Sequence, residues 1–138
     1  MMQIPVKDRG NYLRGLLIMA KMDEDISEMD RTIIINTAKH LGYAPDFYEG
    51  ILNTAMRNEY IGNEPIMFDS TNLAKHFIID AMKIAGSNKN LSNEELNWLK
   101  STASMNLVDR NWFEDRLHES QWNIPINNYT QLAIYWHE

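Results

Sequence analysis

The feature that most constrains this chain is that it matches itself at a shift of 65 residues, with no gap, between positions 12–52 and 77–117. Met19-Ala20 then falls on Ile84-Ala85, Ile26-Ser27 on Leu91-Ser92, Thr37-Ala38 on Thr102-Ala103, and Phe47-Tyr48-Glu49 on Trp112-Phe113-Glu114. Only six positions are identical, namely Ala20, Ser27, Thr37, Ala38, Glu49 and Leu52 with their counterparts, so the argument rests on the shared pattern more than on counting.

That pattern is helical. Leu13, Leu16, Leu17 and Ala20 recur at the spacing of one buried helix face, and Ile78, Ala81, Met82 and Ala85 repeat it. A short polar loop follows in each copy, then an apolar residue and a serine. Ser27 and Ser92 are placed to cap a second helix, with Asp30 and Glu95 three residues on as capping-box partners. The longer Glu95 suits that role better. These helices bury Met29, Ile33, Ile34 and Ala38, or Trp98, Leu99 and Ala103. A third helix starts at Pro45 in one copy and behind the N-cap Asp109 in the other. Gly62 and Pro65 stop any helix across residues 58–69.

Neither copy carries enough apolar surface to stand alone, so the expectation is a single all-α domain over residues 1–138. Two three-helix units pack face to face in it, as a bundle of about six or seven helices. The tail, residues 121–138, breaks the period at Ile124-Pro125-Ile126-Asn127-Asn128 and ends in a short apolar run that fits either a last helix or extended chain. Its rings Trp122, Tyr129, Tyr135 and Trp136 either close the domain's own core or form a partner-binding patch.

A charge of −6 repels phosphate backbones, which argues against nucleic acid. The longest apolar run, Leu16 to Ala20, is five residues, where a membrane span needs about twenty, and the opening residues lack the pattern of a secretory signal. With no cysteine, thiolate-zinc sites and cysteine nucleophiles drop out. A cytoplasmic location without membrane insertion is expected.

Five acids lie within residues 23–30, and Asp23, Asp25 and Asp30 are the candidate ligands for calcium or magnesium at this corner. The second corner offers Asn88, Asn90 and Glu95, which keep oxygens but lose charge. The competing use of these acids is to stabilise the positive end of a helix, which needs no metal. An EF-hand is excluded, because Glu28 and Ile34 stand where its glycine and bidentate glutamate belong. His76 and Asp80, four apart, have zinc spacing but no third ligand nearby in sequence. His40 and His118 read as capping or surface residues, and Met19, Met29, Met82 and Met105 as packing.

The stretch from Ala20 to Asp30, echoed from Ala85 to Glu95, resembles the signature corner of the TerB-like family, in which a small residue precedes an acidic turn, an aliphatic residue and an acid in the next helix. The family takes its name from tellurite-resistance proteins and is similar to the N-terminal module of membrane-anchored J-domain co-chaperones. The resemblance covers roughly Tyr12 to Leu117. It implies a cytoplasmic all-helical bundle without established enzymatic chemistry, acting as adaptor or sensor in stress responses, with divalent ions at the acidic corners. This chain departs from the family in carrying Glu24 and Lys89 where glycine usually follows the first loop acid. The expected function is a non-enzymatic domain that binds a protein partner, with an optional calcium or magnesium ion. Two rivals are a small metal-dependent hydrolase using Asp23, Asp25 and His76 or His118, and a structural subunit docking through its aromatic tail.

Overall fold

A computed structural model describes residues 4–22, 27–56, 62–86, 91–118 and 133–136, with the side chains of all these except 54–56, 86, 135 and 136. The described elements are α1 (Val6–Met22), α2 (Glu28–His40), α3 (Pro45–Met56), α4 (Thr71–Gly86), α5 (Asn93–Met105), α6 (Arg110–Leu117) and a final 3-10 turn (Ala133–Trp136). The fold is all-α, as expected. The starts of α1, α2 and α3 precede those of α4, α5 and α6 by 65 residues each.

The duplication extends to the hydrogen bonds. Ser27 Oγ accepts the Asp30 N–H and Ser92 Oγ the Glu95 N–H, both at 3.1 Å. The reciprocal bond to the cap is 2.8 Å from Glu95 but 3.4 Å from the shorter Asp30. At the other end, Tyr43 N–H donates to Ala38 C=O and Val108 N–H to Ala103 C=O, both at 3.0 Å. Gly42 N–H and Leu107 N–H donate to Lys39 and Ser104 at 3.1 Å. Both α2 and α5 thus end in a Schellman motif whose residue past the cap has positive φ, +91° at Gly42 and +59° at Leu107.

Helices α1 and α4 form the central pair, and each half's second helix packs on both of them. The buried residues of the two halves join in one cluster. Leu13, Leu16, Leu17 and Ala20 are buried with their counterparts Ile78, Ala81, Met82 and Ala85, and Ile33, Ile34 and Ala38 with Trp98, Leu99 and Ala103. At the centre, Tyr12 and Phe77 meet edge to face, 5.3 Å between centroids, with Phe68 and Trp98 on Phe77's other sides. Such pairs add about 0.5–1.5 kcal/mol each beyond the area they bury.

Helices α1 and α4 begin six residues before the matched windows. Pro5 C=O accepts the Arg9 N–H at the head of α1, and Ser70 caps α4 through Leu73 N–H at 3.1 Å. Met105 departs from the packing expectation: it lies on the outer side of the last turn of α5 and is 41% exposed.

The extended segment 62–70 between the halves is anchored by side chains. Asn106 is buried and satisfies its whole amide: Oδ1 accepts Phe68 N–H at 2.7 Å, and Nδ2 donates to Ile66 C=O at 2.7 Å and Thr102 C=O at 2.8 Å. Trp98 Nε1 donates to Asn63 C=O at 3.0 Å. The buried Asp8 carboxylate accepts Asp69 N–H through both oxygens, at 3.2 and 3.3 Å.

Candidate functional site

Position 80 is a buried place at which the two halves differ. A shift of 65 sets Asp80 against Gly15 and Phe77 against Tyr12. The same pairing occurs in space, crosswise. A Cβ on Gly15 would lie 2.4 Å from Phe77 Cζ, so Phe77 occupies the space that glycine leaves. On the other side, Tyr12 Oη donates to Asp80 Oδ2 at 2.5 Å. A ring against a bare backbone in one half becomes a phenol against a carboxylate in the other.

Asp80 is fully buried, and the 3-10 turn covers it. Ala133 N–H donates to Oδ1 at 2.6 Å and Ile134 N–H to Oδ2 at 3.1 Å, while Lys83 Nζ stands 3.9 Å from Oδ1. The first N–H groups of a helical turn have no partner within it, and a carboxylate in front of them satisfies both the bonds and the turn's positive end. Ile134 is fully buried between α2 and α4. His40, in the last turn of α2, hydrogen-bonds the Ile134 backbone.

Burial pushes the Asp80 carboxyl above the usual carboxylate range, against the pull of Lys83, the Tyr12 hydroxyl and the two backbone N–H groups. Burial, then the adjacent Asp80 charge, raises the Tyr12 phenol well above its ordinary value, so its proton stays in the bond. Burial lowers the His40 imidazole, and its bond to Ile134 opposes that shift.

Of the expected metal ligands, Asp30 and Glu95 are fully buried inside their capping boxes. Asp23, Asp25, Asn88 and Asn90 lie outside the described residues, as do Trp122 and Tyr129. Tyr135 and Trp136 belong to the 3-10 turn, and their side chains lie outside the description. Among the described residues no three histidine or acidic side chains gather as a metal site. His76 lies one turn before Asp80 on α4, whose carboxylate is engaged by Tyr12 and the tail. His118 is the exposed C-cap of α6.

Two surface features were not expected. Met67, Met105 and Leu107 are 59%, 41% and 84% exposed; Met105 and Leu107 flank the buried Asn106 in sequence, and the Asn106 amide binds the backbone on both sides of Met67. Leu107 also holds the left-handed conformation that its counterpart meets with glycine, at a cost of roughly 1 kcal/mol. The second is a groove between α1 and α3 lined by Gly10, Leu13, Arg14, Leu17, Phe47 and Ile51. At the matching place in the other half, Lys75 and Arg116 both lie over the Trp112 ring, at 5.4 and 5.5 Å.

The repeat alignment sets Asp80 opposite Gly15, an unlike pair that marks position 80 without pointing to the tail. Asn106 stands against Leu41 in the same way, a polar residue where its counterpart is apolar. No protein-family model, curated protein or solved structure matches the chain.

Proposed function

We propose that the chain is a non-enzymatic, TerB-like adaptor that works by binding a protein partner, through the apolar surface around Asn106. The observation that carries this reading is Leu107, a large apolar residue held in a backbone conformation that glycine serves better and left 84% exposed beside Met67 and Met105. Exposed and strained together, such a residue contributes little to the fold and offers much to a contact. Methionines at its side give a surface that can adapt to a partner's shape.

The TerB-like assignment draws its support from the two serine-capped corners, which stand at equivalent places with a buried acid in each following helix. A stress-response role in the cytoplasm and an optional calcium or magnesium ion at Asp23, Asp25 and Asp30 come with that assignment. No helix among the described residues is long and apolar enough to cross a membrane.

The test of the partner is chemical cross-linking in the source cells with the wild type and with Met67→Ser/Met105→Ser/Leu107→Gly. A partner cross-linked to the wild type and lost from the triple variant supports the reading; identical products from both refute it. The ion is tested separately, by thermal unfolding in millimolar calcium or magnesium. A ligand bound only by the folded chain raises the midpoint. Absence of a shift, or the same shift in Asp23→Asn/Asp25→Asn, removes the ion.

A further inference from the structure

We propose that the pocket between α5 and α6 is a binding site for a free α-amino acid with an apolar side chain.

The walls of the pocket select that class. It encloses about 250 Å³, a little under the volume of a drug-sized site, and so fits one small ligand. Ala103, Val108 and Phe113 give it an apolar floor, and all three belong to the core. Charge stands on both helices around that floor. Lys100 and Ser104 are four apart on α5, Arg110 and Glu114 four apart on α6, so each pair shares one helix face and lines the same pocket. Two cations and a hydroxyl suit a carboxylate, and Glu114 suits an ammonium. An apolar side chain takes the floor.

The charged groups are also available. Among the described residues none of Lys100, Arg110 and Glu114 forms an ion pair, although Arg110 and Glu114 have the spacing at which helical pairs close. Open charges of both signs around one apolar floor are satisfied together by a zwitterion. A free amino acid carries ammonium and carboxylate on one carbon, whereas each end of a peptide carries only one of them.

The other half of the molecule supplies the contrast. At a shift of 65, Ile35, Tyr43 and Pro45 stand where the pocket has Lys100, Val108 and Arg110, while Ala38 and Glu49 recur as Ala103 and Glu114. The frame therefore requires neither Lys100 nor Arg110, since α2 and α3 pack with an isoleucine and a proline in their places. Tyr43 stacks on Phe47 at 4.7 Å, and Val108 brings no ring to the matching place.

The test titrates the purified full-length chain with leucine and with phenylalanine, read by calorimetry and by the methyl resonances of Ala103 and Val108. At least one should bind saturably with Kd at or below about 1 mM and shift both sets of methyls. The amide and the N-acetyl derivative of the tighter ligand, which mimic the two ends of a peptide, should each bind at least about tenfold more weakly. Arg110→Gln and Glu114→Gln should each weaken binding about tenfold and leave the circular dichroism spectrum unchanged. Lys100→Ile/Val108→Tyr/Arg110→Pro copies the first half and should fold without binding, because proline suits the first position of a helix. No saturable binding of either amino acid at about 10 mM, equal affinity for the amide or the N-acetyl derivative, or undiminished binding by both glutamine variants overturns the proposal.

Discussion

Residues 6–56 and 71–117 share one frame and put it to different uses. Both have a long first helix, a serine-capped second helix ending in a Schellman motif, and a short third helix. They diverge at many matched positions, of which three are instructive. Gly15 gives way to Asp80, Leu41 to Asn106, and Gly42 to Leu107. At the first two the second half carries a polar residue that holds chain outside the helices, and at the third an exposed apolar one. Asp80 holds the tail, Asn106 holds the connecting segment, and Leu107 faces solvent. The lesson is that the repeated positions specify the architecture, and the unlike pairs are where to look for anything further.

The comparison is broken most severely at Asn106. Asn106→Leu copies the first half and leaves Phe68 N–H and Ile66 C=O without their partners; at roughly 1–3 kcal/mol for each orphaned group, urea unfolding should show a loss of about 3–4 kcal/mol. Leu41→Asn at the matched place has no equivalent segment to hold, and cannot recover that loss. Next comes Gly15→Ala. Its Cβ would enter the buried Phe77 ring, and overpacking should cost about 2–3 kcal/mol although alanine favours helix. Gly50→Ala, on α3 with open space around it, is the control and should gain up to about 1 kcal/mol.

Leu107→Gly makes the second Schellman motif like the first and should stabilise the chain by roughly 1 kcal/mol. A loss would mean that the leucine packs more than its exposure indicates. The smallest effect is at His40, whose folded-state imidazole sits below its ordinary value of 6.5. Between those two values the unfolded chain binds more protons, so this contribution is present above pH 6.5 and is lost as pH falls through the folded value. His40→Gln should therefore flatten that part of the stability-pH profile. An unchanged slope would show that burial does not govern the imidazole.

Much of this was legible before the structure. Periodicity and caps encode the six helices locally, and even the preference for Glu95 over Asp30 follows from side-chain length. The tail contact was not, because a bond between Asp80 and Ala133 spans 53 residues and leaves no periodic trace. Met105 misled for a related reason: apolar character at the end of a helix signals burial only when something packs there, and here the chain turns away through Asn106 and Leu107. Asp30 and Glu95 each have a capping use that competes with ion binding, and the sequence alone did not choose between them.

The central claim is that the two halves are one frame and that the polar pair Tyr12–Asp80 is an addition serving the tail. Amide hydrogen exchange on Tyr12→Phe/Asp80→Gly, which gives the second half the pairing of the first, tests it most directly. The account predicts that α1 to α6 keep their protection while Ala133 and Ile134 lose theirs. Loss of protection throughout α1 and α4 would contradict it.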